Sequence, residues 1–297
     1  MKIRGVSKIA ACAVALAATA LLPQAEGGPL IGGWNYASDS VIDNSGGAVY
    51  QYGGLAFRQD GNTAYFAVSS GTPLNGVSES GATDGRIDHG DLFINFSAHN
   101  LDTAAEYTDP GVFAVRFASG NDSLNGSSSA FGVFGSVTAV STAAQNVGYS
   151  SINAYLAGHS AVPQMGDFQT ATDVRNYFGG TEPIRANISA GTLLGGISPL
   201  TQTQLTGLGL VLSNFPTISP QHVFGFSLNT SALAFGTFTA SMFLECGNDG
   251  VALNGEIVPG GGGNNDPVPE PSSVALLVLG IAGSWSQLRR RRLPNAA

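Results

Sequence analysis

Short runs of aromatic and β-branched residues, each cut off by Gly, Asn, Asp or Ser, recur along the middle of the chain: "AVYQYGGLAF", "TAYFAVSS", "DLFINFS", "GVFAVRFAS", "AFGVFGSVTAV", "VFGFSLN" and "FGTFTASMFLEC". Within them the side chains alternate. Phe93, Asn95 and Ser97 interleave with Leu92, Ile94 and Phe96, and Phe113, Val115 and Phe117 with Val112, Ala114 and Arg116. A period of two marks a strand whose successive residues face opposite sides. Short strands at this spacing, separated by turn residues, predict an all-β fold, a β-sandwich or jelly-roll, with one or two short helices. One helix is expected in "SPLTQTQLTGLGLVLSNFP", where Ser198 can cap, Pro199 suits the first helical position and Pro216 marks the exit.

The chain holds 41 glycines, but they are interleaved with Phe, Tyr and Val, which bury enough area to order a chain; flexible segments lack such residues. Only the stretch "PGGGGNNDP", within a linker over 259–268, reads as flexible. It divides a body over 28–258 from the C-terminal tail. No fixed period links the short echoes "LNG" and "GND", so they are recurrent turns and not a repeat architecture.

Both ends are hydrophobic addresses. "MKIRGVSK" is basic, "IAACAVALAATALL" is apolar, and a cut between Gly27 and Gly28 puts small residues where a signal peptidase needs them, so residues 1–27 read as a secretory signal peptide. At the other end, "VPEPSSVALLVLGIAGSWSQLRRRR" places Pro269, Glu270 and Pro271 before an apolar span at 273–288 and the cluster Arg289, Arg290, Arg291 and Arg292. As a helix that span reaches about 24 Å at roughly 1.5 Å per residue, short of the roughly 30 Å hydrocarbon core. Snorkelling arginines make up the difference and hold their end in the cytoplasm. The body then lies on the far side of the inner membrane, with a single transmembrane helix behind it.

Pro-Glu-Pro, one short span and a terminal arginine cluster, in that order, resemble the PEP-CTERM sorting signal of Gram-negative bacteria that make extracellular polysaccharide. The resemblance implies that an exosortase reads Pro269, Glu270 and Pro271 and that the tail over 269–292 is removed during export. The blocks "GGWNYASDS", "GDLFINFS", "FASGNDS" and "ECGNDG" in the body are similar to the XDD-type exosortase-dependent surface proteins, a likeness that implies export and surface location and no reaction.

Loss of both signals takes Lys2, Arg4, Lys8, Arg289 to Arg292, Glu26 and Glu270 with it. Of 12 basic and 20 acidic residues, the stretch from Gly28 to Val268 keeps five and 18, a net charge of −13 with no lysine at all. Nucleic acid and anionic lipid draw their affinity from Lys and Arg, so neither is an expected partner; cations or neutral sugars suit this surface. Cys246 is the one cysteine left, which excludes an intramolecular disulfide and suits a packed thiol.

Candidate chemistry is sparse. "ATDGRIDHGDLFINF" gathers Asp84, Asp88 and Asp91 around His89 before a strand, and carboxylates on a loop can coordinate calcium. The spacing is not that of an EF-hand, and a solvated Asp-Gly turn is the competing reading. Other oxygen-rich turns carry Asp39 and Asp43, Asp122, and Asp249, and could converge on the same ion; sequence separation does not tell. Apart from calcium, no cofactor is expected. His89, His99, His159 and His222 lack zinc-ligand spacing, and no Gly-x-Ser-x-Gly elbow occurs. Trp34, Tyr36, Tyr50 and Tyr52 either form a sugar platform or face a core.

The expected function is that of a non-catalytic, exported surface or extracellular-matrix protein, not an enzyme, processed by signal peptidase and exosortase, transiently held in the inner membrane, and associated with extracellular polysaccharide or biofilm. The alternative is a carbohydrate-binding module or sugar-active enzyme carrying the same address.

Overall fold

The computed structural model describes residues 30–43, 46–126, 130–159 and 165–260. The signal peptide with its Gly27/Gly28 cut, the linker beyond Gly260 and the sorting signal with its span lie outside the described residues. Among the described residues no helix is long and apolar enough to cross a membrane.

The chain is mostly β. In order it forms β1 (Asn35–Ser38), β2 (Tyr52–Asp60), β3 (Thr63–Ser70), β4 (Val77–Ser78), β5 (Arg86–Ile87), β6 (Leu92–Asn95), β7 (Val112–Arg116) and β8 (Gly132–Val140). Two helices come next, α1 (Ile152–Gly158) and α2 (Ala171–Phe178), then β9 (Asn187–Gly195), β10 (Ile197–Thr201), α3 (Gln202–Gly207), β11 (His222–Asn229), β12 (Gly236–Phe243) and β13 (Gly250–Ile257). One sheet has the order β1-β2-β3-β11-β10 and the second β13-β12-β6-β7-β8-β9; β4 and β5 pair by themselves. The pairings are antiparallel.

The two large sheets share one core. Phe57, Phe66 and Phe226 from the first meet Ile94, Phe113, Val115 and Phe238 from the second, with Phe57 edge-on to Phe238 at 5.0 Å between ring centroids and Phe117 stacked on Phe226 at 5.3 Å. The period-two pattern read from the sequence sorts side chains between two cores. Leu92, Ile94, Phe113 and Val115 enter the space between the sheets, while Phe93, Val112 and Ala114 join a second cluster on the outer face, covered by α1 and α2 through Ile152, Tyr155, Val174 and Phe178. The outer face of the first sheet is covered likewise, by Leu205 of α3 together with Leu210 and Phe215, packed on Trp34, Ala56 and Ala67.

The expected helix is present but displaced. Ser198 and Pro199 lie in β10, an edge strand, where a residue with no N–H is tolerated. The helix starts at Gln202, because Thr201 and Gln204 form a capping box: the Gln204 side chain accepts from the Thr201 N–H at 2.8 Å and Thr201 Oγ1 accepts from the Gln204 N–H at 3.4 Å. It stops at Gly207, before Gly209 turns the backbone to φ +89°, a conformation that ends helices. Of the one or two short helices expected, the sequence places only this one; α1 and α2 bring the α-helices among the described residues to three. The first is capped by Ser151, the second by a reciprocal Thr170–Asp173 box.

Two details fix the edges. A bulge between Tyr52 and Gly54 lets β2 bend; Gly54 has φ +143°, and a Cβ there would press on the Ala37 carbonyl. At the end of β13, Gln59 donates to the Val258 carbonyl at 2.8 Å and accepts from the Val258 N–H at 3.0 Å, clasping the last residue before Pro259.

Candidate functional site

Three loops meet where β1 leaves the first sheet and β12 turns into β13. The turn after β1 supplies Asp39 and Asp43, the entry to β2 supplies Gln51 and, as the first residue of the strand, Tyr52, and the β12–β13 connection supplies Asp249. All three aspartates are buried. One carboxylate oxygen of each lies within 4.8 Å of the others, and among the described residues this is the group of three acidic, His or Cys ligands so gathered.

Their hydrogen bonds are partial. Asp39 Oδ1 accepts from the Gly166 N–H at 2.9 Å. Asp249 Oδ2 accepts from the Tyr52 N–H at 2.5 Å and from Gln51 Nε2 at 3.1 Å, and its Oδ1 accepts from the Gly250 N–H at 2.8 Å. Asp43 Oδ1 accepts from Gln51 Nε2 at 3.2 Å. Left without a hydrogen-bond partner are Asp39 Oδ2, Asp43 Oδ2, Gln51 Oε1 and, from α1, the Tyr155 hydroxyl. Burial, then the neighbouring charges of Asp249 and Asp43, holds the Asp39 carboxyl well above the usual range. Burial and the Asp43 charge do the same to Asp249, and burial lifts Asp43 to about 7.

The second polar cluster contains the aspartates singled out before β6. They do not share one point. Asp84 is exposed and accepts from the Arg86 N–H at 3.0 Å. Asp88 takes Arg86 in a two-pronged pair at 3.0 and 2.9 Å. Asp91 accepts from Asn121 at 2.9 Å, from the Ser123 hydroxyl at 2.5 Å and from the Ile188 N–H at 2.7 Å; burial still lifts it to about 6. Glu245, which lies within "ECGNDG" but is not among the candidate ligands read from the sequence, sits among them, accepting from Asn187 and the Asp88 N–H at 3.0 Å each and from the Asp122 N–H. Burial lifts its carboxyl to about 8. Of the four aspartates on the three other oxygen-rich turns read from the sequence, Asp39, Asp43 and Asp249 come together, whereas Asp122 turns to Asn146.

The histidines stand apart. His89 is fully buried, its Nδ1 2.9 Å from the Tyr52 hydroxyl and its Nε2 3.2 Å from the Thr72 carbonyl. A carbonyl can only accept, so Nε2 carries the proton and Nδ1 accepts from Tyr52. Burial lowers this ring to about 4. His159 faces the Tyr155 and Asn248 carbonyls, His222 is half-buried and His99 exposed. The aromatics near the start of the body face cores: Trp34 and Tyr52 are fully buried, Trp34 donating to the Leu208 carbonyl at 3.1 Å, Tyr36 packs edge-on against Phe215, and the Tyr50 hydroxyl donates to Glu79 at 3.0 Å.

Beyond the folded body, residues 267–292 match the family model of the PEP-CTERM protein-sorting motif. No curated protein and no solved structure matches the chain. The match covers the segment in which the sequence places Pro269, Glu270, Pro271 and the four arginines.

Proposed function

We propose that this chain, an exosortase-sorted exported protein by virtue of its PEP-CTERM motif, is a non-catalytic component of the cell surface or extracellular matrix that works within an extracellular polysaccharide layer or biofilm. The motif at 267–292 carries the reading, because it addresses the body to the surface of a Gram-negative cell. Signal peptidase would release residues 1–27, and the span at 273–288 would hold the body at the inner membrane until exosortase acts. The likeness of the body to XDD-type surface proteins belongs to the same proposal.

The chemistry of the body supports it. A body with no lysine and a formal net charge of −13 between Gly28 and Val268 disfavours nucleic acid and anionic lipid and suits cations and neutral sugars. Asp88, Asp91 and Glu245 spend their oxygens on Arg86, Ser123, Asn121, Asn187 and backbone N–H groups, a structural use. Asp39, Asp43 and Asp249 are shut away from a polymer chain.

Incubation of the mature protein with its producer's own polysaccharide tests the role. Neither shortening of the polymer nor retention on it is the expected result for a structural component. Retention alone would make the protein a carbohydrate-binding module, and shortening abolished by replacing one carboxylate would make it a sugar-active enzyme. The intact mass of the protein from culture tests the sorting: it should lack residues 1–27 and the arginine cluster, and recovery of the uncut chain from the cytosol would overturn the reading.

A further inference from the structure

The buried group of Asp39, Asp43 and Asp249 is short of hydrogen-bond donors. Gln51 Nε2 has two hydrogens, yet four oxygens stand within 3.2 Å of it: Asp43 Oδ1, Asp249 Oδ2 and the carbonyls of Ser40 and Tyr52. At least two of those contacts therefore lack a proton. Asp39 Oδ2 and Asp43 Oδ2 have no partner at all. The body has no lysine, and its five arginines are bonded to other groups. The two nitrogens of His159 face backbone carbonyls.

An independent observation points inward. Tyr155, on α1 and fully buried, has a hydroxyl with no hydrogen-bond partner, and after burial itself the charges of Asp249, Asp43 and Asp39 act on it most, ahead of Tyr149. Gln51, 1% exposed, reaches two of the three carboxylates through its amide and keeps Oε1 unbonded. Unpaired buried oxygens of this kind are costly unless something positive meets them.

We propose that Asp39, Asp43 and Asp249 hold one calcium ion, with Gln51 Oε1 and the Tyr155 hydroxyl as neutral oxygens beside it. The donor set is all oxygen, as a hard cation requires. Ligands of one calcium, each about 2.3–2.6 Å from the ion, stand at most about 5 Å apart, and the three carboxylate oxygens lie within 4.8 Å of one another. Magnesium usually keeps several waters and binds through one or two carboxylates, which suits a sealed site poorly. The ion joins the turn after β1, in the first sheet, to the β12–β13 turn of the second, and so fastens the two sheets together at this end.

The test is calcium added to the purified full chain in detergent after chelation. One equivalent should bind, and calcium a hundredfold above its Kd should raise the melting temperature by about 5–10 °C. Terbium in place of calcium should luminesce on tyrosine excitation, and less so in Tyr155→Phe. Asp43→Asn should weaken binding at least tenfold, while Asp84→Asn should leave it unchanged. Because an Asp43 variant could fail to fold, the unsubstituted chain decides independently: no bound equivalent and the same melting temperature with calcium as with chelator would overturn the proposal. So would binding lost in Asp84→Asn and kept in Asp43→Asn.

Discussion

Phe238 of β12 and Gly255 of β13 are cross-strand partners, and the glycine is there because of the ring. A Cβ built on Gly255 would stand 2.5 Å from Phe238 Cζ, with the next two ring atoms at 2.9 and 3.1 Å. The ring has nowhere to go, being 4% exposed and wedged against Phe57, Phe66 and Phe96. Phe238→Ala should cost about 3–5 kcal/mol, a large part of the roughly 5–15 kcal/mol that holds a domain together. Gly255→Ala alone should cost about 1–3 kcal/mol through overpacking. In the Phe238→Ala background its three nearest neighbours are gone, and the same change should become neutral or stabilise by about 0.5–1 kcal/mol, the usual advantage of Ala over Gly inside a strand. The coupling is then about 2 kcal/mol, in favour of the double variant. Urea unfolding of the wild type, both single variants and the double variant, followed by the fluorescence of buried Trp34, measures it. Additivity within about 0.5 kcal/mol would refute the Phe238–Gly255 register and the steric account with it.

His89 should stay neutral well below the usual histidine range. With its ring lowered to about 4 by burial, the unfolded chain takes up a proton below about 6.5 that the native one refuses. The stability contributed here is full above about pH 6.5 and is lost as pH falls to about 4, up to about 3 kcal/mol; a ring NMR titration with a midpoint near 6.5 would contradict this. Thr170→Ala removes the oxygen that accepts from the Asp173 N–H at 3.2 Å and should cost about 1 kcal/mol in thermal unfolding. The Cys246 thiol, fully buried and pushed up to about 12 by burial, should resist an aqueous thiol reagent in the native protein and react on denaturation; rapid native labelling would show the thiol to be accessible.

The sequence alone determined the strand content and the destination. The run Thr63–Ser70 became a strand with its limits unchanged, and the period-two stretches became β6 and β7, because alternation of side chains is a local property of the backbone. The sorting motif at 267–292 is likewise a linear signal, legible without a fold. Local reading misplaced α3 because a capping box at Thr201 and Gln204 outweighed a proline that an edge strand could accept, and it missed α1 and α2, whose apolar faces have meaning only against the outer face of the second sheet. The carboxylate cluster was half visible: the turns bearing Asp39, Asp43 and Asp249 read as oxygen-rich, but which of them meet was decided by the packing of β1 and β2 against the β12–β13 turn. Asp88 and Asp91, three residues apart, were drawn to different partners by Arg86 and Ser123. Adjacency in sequence fixes spacing along one strand, whereas a site assembled from residues some 200 positions apart exists only once two sheets have closed on a common core.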